Sequence, residues 1–156
     1  MIRRGDFMDN SDLKLVIALA KTYNLLFKKL SDQVFEFDLS LTEFGVLEML
    51  YHKGKQPVQK IAEKILVTSG TVTYVIDQLV KKEYVIRKKC LEDKRITYVE
   101  LSELGKELIK QVFPAHVEYL SYLFNSIEDN RKVELIQNLK DMQKSICDFT
   151  GSDGND

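Results

Sequence analysis

The sequence predicts a mainly α-helical fold with one small β-hairpin, in a single module spanning residues 1–156. The chain has only 7 Gly and 2 Pro residues, so few positions interrupt helices. Apolar residues recur at spacings of three and four in most segments, which is typical of amphipathic helices. Only residues 84–101 are instead rich in β-branched and aromatic residues around a polar centre. A chain of this length can bury one core and is too short for two ordinary domains.

Composition and cysteine usage exclude several classes of protein. The formal net charge is -1, so binding to nucleic acid would require a local concentration of basic residues. The longest apolar run, residues 15–20, is far shorter than the roughly 20 residues of a membrane helix. The amino terminus carries Arg3 and Arg4 but lacks the apolar region of a signal peptide, so we expect a cytoplasmic protein. Cys90 and Cys147 show no metal-site spacing and are expected to be reduced thiols.

Two helices are predicted in the first third of the chain. The first spans residues 11–37, with Ser11 and Asp12 as candidate N-caps. The second begins at Thr42 and ends before Gly54. The first helix is long and amphipathic, so its apolar stripe must pack on another surface. That stripe contains Val16, Leu19, Tyr23, Leu26, Phe27, Leu30, Val34 and Phe37.

Two short helices around a tight turn form a candidate helix-turn-helix. The first follows Pro57 and runs from Val58 to about Lys64. A turn at residues 68–70 leads into the second, which extends to about Lys82. On a helical wheel, apolar and polar side chains of the second helix fall on opposite sides. The apolar side holds Val72, Val75, Ile76 and Leu79, and the polar side holds Gly70, Tyr74, Asp77, Gln78 and Lys81.

The predicted β-hairpin has a charged tip at residues 90–95. Residues 81–95 carry seven basic and three acidic residues, a net charge of +4, whereas residues 102–156 carry a net charge of -4. Phosphate groups would therefore bind at the hairpin. The alternative is a lysine-rich sheet edge that prevents edge-to-edge aggregation.

A last helical region follows the hairpin. Ser102 and Glu103 can cap its start, and Pro114 marks a kink or break. A final helix begins near Glu128, and residues 150–156 form a flexible tail. Apolar residues of the final helix alternate steps of four and three, which suits packing against another helix. They are Leu135, Leu139, Met142, Ile146 and Phe149.

Together these elements resemble the MarR family of winged-helix transcriptional regulators. The wing signature of this family, Asp-x-Arg, is present as Asp93-Lys94-Arg95. The family resemblance is strongest in LTEFGVLEMLYHKG, QKIAEKILVTSGTVTYVIDQLVKKEYVIRK and EDKRITYVELSELGKEL. Within the family, three further stretches resemble the MhqR-like branch, which represses quinone and catechol detoxification genes. These stretches are LAKTYN, YHKGKQP and FPAHVE.

The resemblance implies a homodimer that binds double-stranded DNA. Dimerisation helices would lie at residues 11–37 and 102–149, and a winged helix-turn-helix lobe at residues 42–101. The helix at residues 68–82 would enter a major groove, and the wing at residues 90–95 the adjacent minor groove. The operator would be an inverted repeat. No cofactor or metal ion is implied.

Candidate DNA contacts are the polar side chains of the second short helix and of the wing. Arg95 would enter the minor groove and Asp93 would orient it, although a surface ion pair without a DNA contact is the alternative. Because strand residues alternate in direction, at most one of Lys88 and Lys89 is expected to face DNA. The full set is Ser69, Thr71, Thr73, Tyr74, Gln78, Lys88, Asp93, Lys94 and Arg95.

The resemblance also implies a small phenolic or quinone effector. Its cleft would lie near Tyr23, Phe27, Phe44, Tyr51, Phe113 and His116, although aromatic residues at helical spacing are also common in cores. Cys90 is a second candidate, because Lys88 and Lys89 beside it should favour its thiolate, which a quinone can modify. Cys147 is interpreted as a small buried apolar residue at the interface.

No enzyme motif is present. The chain has only two histidines, and neither belongs to a recognisable catalytic pattern. His52 lies at a predicted helix end and is interpreted as structural. His116 is expected on the surface, with a pocket position as the alternative. The second function left open is a dimeric helical module that binds another protein through its basic hairpin.

Overall fold

The structure, a computed structural model, describes residues 10–65 and 69–149, and the side chains of residues 69 and 70 are not described. The predicted mainly α-helical fold with a small hairpin is confirmed. The helices of this part of the chain are α1 (Ser11–Phe35), α2 (Leu41–Lys53), α3 (Val58–Lys64), α4 (Ser69–Lys81), α5 (Glu103–Leu123) and α6 (Asp129–Asp148). Its strands are β1 (Gln56–Pro57), β2 (Val85–Lys89) and β3 (Thr97–Leu101).

Side-chain caps fix the starts of the first two helices. The side chain of Asn10 accepts hydrogen bonds from two backbone N–H groups in the first turn of α1, so Ser11 and Asp12 are not the N-cap. At α2, the backbone N–H of Glu43 donates to Oγ of Ser40 (3.2 Å). The Glu43 carboxylate in turn accepts the N–H of Ser40 (2.7 Å). This reciprocal capping box begins α2 one residue before the predicted start.

The sheet has three antiparallel strands in the order β1-β3-β2. The predicted hairpin is confirmed, since Val85 pairs with Leu101 and Lys89 pairs with Thr97. Strand β1 was not predicted. It has two residues, one of them Pro57, and lies at the sheet edge, where a missing backbone donor is tolerated.

Helix α5 runs without interruption through Pro114. Its start is as predicted, because the Ser102 hydroxyl caps the first turn by accepting a backbone N–H (3.0 Å). The predicted break at Pro114 is wrong, because the helix continues past this exposed residue, and Val112 and His116 on either side of it are buried. A kink at Pro114 stays a prediction. Glu128 is the N-cap of α6, which confirms the predicted start of the final helix.

The described residues belong to two compact units, one ending at Val117 and the other beginning at Glu118. The first unit contains the core, including the predicted apolar side of α4. Within the second unit, α6 has no buried residue. In the described ranges, no helix has the length and apolarity needed to span a membrane. The fully buried core side chains are Val34, Leu39, Val46, Leu47, Ile61, Val72, Ile76, Leu79, Val99, Ile109 and Val112.

Candidate nucleic-acid interface

Helix α4 separates its apolar and polar side chains as predicted. Val72, Ile76 and Leu79 are fully buried. On the other side, the Tyr74 side chain is 64% exposed, and Thr73 is exposed. This anchored helix presents phenol and hydroxyl groups that can donate and accept hydrogen bonds. The outer side of α4 also includes exposed Thr71 and half-buried Gln78.

Two predictions for the start of this helix are not tested by the structure. The predicted turn at residues 68–70 begins at Thr68, which lies outside the described residues. Ser69 is the first residue of α4, but its side chain is not described. A DNA contact by Ser69 stays a prediction.

Asp93 holds the Arg95 side chain at the tip of the wing. Nε and Nη2 of Arg95 donate to the two carboxylate oxygens of Asp93 at 3.1 and 3.0 Å. The side chain of Arg95 is nevertheless 91% exposed. These hydrogen bonds lower the pKa of Asp93 and raise the pKa of Arg95, so both groups stay charged. The fork of Arg95 is therefore oriented in advance, with N–H groups left over for an acceptor in solvent.

Strand β2 directs its basic side chains to two sides. Lys88 forms an ion pair with Glu100 on β3. Arg87 and Lys89 instead border a cleft of about 520 Å³ between the wing and the helices α3 and α4. Its lining residues are Val58, Gln59, Thr73, Arg87, Lys89, Arg95 and Thr97.

Arg87 and Lys89 are absent from the set of DNA contacts predicted from the sequence. The alternation of strand residues shows that Lys88 points away from its two neighbours, but not which side faces α4. The contact that settles the direction is an ion pair between Arg87 and Asp77 of α4. Lys94 at the wing tip is exposed, as a DNA contact would require.

The six predicted effector residues form three separate ring contacts. Phe44 belongs to the core and is 2% exposed, whereas Tyr23 and Phe27 are exposed on α1. His52 joins the third contact, with its ring 4.8 Å from that of Phe113. Ring centroids are 5.7 Å apart for Tyr23 and Phe27, 4.5 Å for Phe44 and His116, and 6.1 Å for Tyr51 and Phe113.

His116 is buried between α1 and α2. Its Nδ1–H donates to Oε1 of Gln33 (2.8 Å), and its ring packs on Phe44. Burial lowers the pKa of His116, and the negative charge of Glu48 opposes part of this shift. The expected surface position is therefore wrong, because α5 continues past Pro114 and carries His116 onto its buried side.

Acidification should destabilise the protein through His116. Its pKa in the folded chain lies below the ordinary value of 6.5, so the unfolded chain takes up this proton first as the pH falls. As the pH falls below 6.5, the free energy of unfolding should therefore decrease. The decrease should stop once the pH is below the pKa of His116 in the folded chain. When the pH is lowered from about 7.5 to about 5.5, the melting temperature of His116→Gln should decrease less than that of the wild type. His52→Gln is the control, and equal losses for His116→Gln and the wild type would contradict the assignment.

The two cysteines differ in their surroundings. Cys90 is half-buried and borders a cleft of about 580 Å³. Three lysines, Lys55, Lys88 and Lys89, line the same cleft. Cys147 is exposed in the single chain, so its burial at an interface stays a prediction. Across the described ranges, no cluster of His, Cys, Asp or Glu residues could hold a metal ion.

The exposed polar side of an anchored helix beside a basic wing defines a winged helix-turn-helix DNA-binding protein. The sequence model of the MarR family matches residues 39–97. The HTH-type transcriptional regulator MhqR of Bacillus subtilis is 39% identical over 128 residues, which cover 82% of this chain and 88% of that protein. This chain therefore belongs to the MarR family of transcriptional regulators, which bind DNA and are not enzymes.

Solved structures show the same fold. A MarR-like transcription regulator from Bacillus cereus has a TM-score of 0.76 and 26% identity, and the match covers 86% of this chain and 96% of that one. Sco3205, a MarR family regulator from Streptomyces coelicolor solved in complex with DNA, has a TM-score of 0.81. The two sequences are 19% identical, and the match covers 88% of this chain and 92% of Sco3205. At this identity, the similarity shows a shared fold alone.

Proposed function

We propose that the protein is a homodimeric repressor that binds an inverted-repeat operator and is released by a small phenolic or quinone effector. The observation that carries the DNA-binding mode is the juxtaposition of α4 and the wing. Thr73 of α4 and Arg95 of the wing border the same basic cleft. A helix in the major groove and an arginine in the adjacent minor groove would then read one half-site.

Exposed apolar side chains on two helices support the dimer. Large contiguous apolar surfaces are rare on monomers and are characteristic of protein interfaces. We assign dimerisation to residues 11–37 and 102–149, and DNA binding to residues 42–101. The exposed apolar residues on one side of α1 include Leu13, Val16, Tyr23 and Phe27. Those of α6 and the residue after it include Val133, Leu135, Ile136, Leu139, Ile146 and Phe149.

A salt series tests DNA binding against the protein-interaction alternative. Promoter DNA from upstream of the protein's own gene is mixed with the protein across increasing salt. Contacts from lysine and arginine to phosphates should give a steep linear fall of log affinity with log salt. A protein-interaction module with no DNA function would bind neither this fragment nor any other at physiological salt.

Two routes for the effector follow from the described residues. A phenolic molecule could bind without reaction beside the aromatic contacts of α1, α2 and α5, where Tyr51 and Phe113 are partly accessible. A quinone could instead add to the sulfur of Cys90, whose cleft is lined by Lys88, Lys89 and Glu92. Of the two, we favour reversible binding.

Release of DNA separates the two effector routes. The wild type and Cys90→Ser are compared in a gel shift with benzoquinone and with hydroquinone kept reduced. Reversible binding predicts release of both proteins by both compounds. Release of only the wild type, and only by benzoquinone, would show that Cys90 is the sensor. If no phenolic or quinone releases either protein, the effector class is wrong.

A further inference from the structure

An ion pair connects the two elements that we propose to contact DNA. Nη1 of Arg87, on wing strand β2, donates to Oδ1 of Asp77 on α4 (2.5 Å). Nη2 of the same guanidinium donates to the backbone carbonyl of Thr73 (3.3 Å). One planar side chain therefore joins the wing to α4 at two points, one turn apart along the helix.

Asp77 is unusual in its position. It is the only acidic residue in the sequence of α4. Arg87 borders the same basic cleft as Lys89 and Arg95. A carboxylate at this surface opposes phosphate binding, because it repels the DNA backbone and neutralises one of the basic groups.

The stability of the fold does not explain this arrangement. The side chains of Asp77 and Arg87 are 46% and 34% exposed. Ion pairs that are this accessible contribute little to folding. The geometry of the pair, which spans two DNA-reading elements, is better suited to setting their relative position.

We propose that Asp77 is a positioning and specificity-determining residue for DNA recognition, an inference that rests on the proposed function. By holding Arg87, Asp77 fixes the wing strand against α4. The helix α4 can then enter the major groove while the wing enters the adjacent minor groove. It also withholds one positive charge from phosphates of non-operator DNA. The pair therefore lowers non-specific affinity more than operator affinity.

The hairpin supplies a matched control. Lys88 and Glu100 also form an ion pair, but it joins β2 to β3 and does not reach α4. Asp77→Asn and Glu100→Gln each remove one negative charge and release one basic side chain. Only the first change removes the charge from a hydrogen bond that joins the wing to α4. A difference between the two variants therefore separates positioning from net charge.

The test compares operator and non-operator affinity in full-length protein. An operator is first enriched from random duplexes with the wild type, and a scrambled duplex of the same composition serves as non-operator DNA. Affinities for both are measured by fluorescence anisotropy across a salt series. Thermal unfolding confirms that each variant is folded.

Asp77→Asn is expected to bind scrambled DNA more tightly and to lower the operator-to-scrambled ratio about tenfold. Its salt dependence on scrambled DNA should steepen by roughly 0.9, the value for one added phosphate contact. Asp77→Glu should restore the wild-type ratio. Arg87→Lys should lower the ratio without a steeper slope, because an ammonium keeps the charge but not the two-point fork.

Two results would overturn the inference alone. One is an Asp77→Asn variant whose operator-to-scrambled affinity ratio and salt dependence equal those of the wild type. The other is an equal change of this ratio in Asp77→Asn and Glu100→Gln. A wild type that enriches no sequence would instead overturn the proposed function, and this inference with it.

Discussion

Two glutamates on one side of α1, in Val16→Glu with Ala20→Glu, are expected to dissociate the dimer and abolish operator binding. On a wheel of about 100° per residue, these two positions share an arc of about 60° with Tyr23 and Phe27. The side chain of Val16 is 61% exposed in the single chain. Each unpaired carboxylate placed in an apolar interface costs about 3 kcal/mol or more. Each protomer contributes two of them, so four enter the interface, and the dimer Kd should rise by a factor of at least about 10⁴.

Sedimentation at micromolar concentration and anisotropy on operator DNA measure this effect. The wild type should sediment as a dimer, and the variant as a monomer or a poorly folded chain with at least roughly 100-fold weaker operator binding. Thr22→Glu with Lys29→Gln is the control, because it changes the net charge equally on the opposite side of α1. A folded wild-type monomer, or a dimeric Val16→Glu/Ala20→Glu variant, would refute the interface.

Replacing Arg95 by alanine should weaken binding to every operator variant by roughly 1–3 kcal/mol, which corresponds to about 5- to 150-fold. Loss of the exposed guanidinium should also reduce the slope of log affinity against log salt by roughly 0.9. Tyr74→Ala and Gln78→Ala should instead change which base substitutions are tolerated, because α4 reads base edges. Binding titrations on a panel of single-base operator variants separate these patterns.

The fold around Arg95 should survive this substitution. Arg95 donates its hydrogen bonds within the wing tip, where Asp93 is the acceptor. Arg95→Lys keeps the charge but loses the fork, so it should recover part of the affinity. Unchanged affinity of Arg95→Ala at physiological salt would leave a surface ion pair as its whole role.

The spacing of apolar residues in the sequence predicts the features that depend on neighbouring residues alone. The buried side of α4, with Val72 and Leu79, and the hairpin follow from spacings of three, four and two. Helix starts are harder to predict from the sequence, because several neighbouring polar residues can each act as a cap. The choice of Asn10 and Ser40 depends on backbone conformation, which the sequence does not display.

Tertiary contacts account for the features that the sequence did not predict. Strand β1 is too short to show alternation. The ion pair between Asp77 and Arg87 joins residues on different elements, so no spacing rule within one helix or strand indicates it. The sequence misplaces His116 because Pro114 suggests a break, whereas α5 continues through Pro114 and buries Val112 and His116 on the same side.

A hydroxyl-radical footprint of the wild type on its selected operator tests the proposed mode of DNA recognition most directly. We expect two symmetric protected regions with centres roughly one helical turn, about 10 bp, apart or a multiple of that distance. Each region should combine a major-groove segment with protection of the adjacent minor groove, and two chains should bind each duplex. Protection of a single asymmetric site by one chain, or equal protection along any sequence, would contradict the proposal.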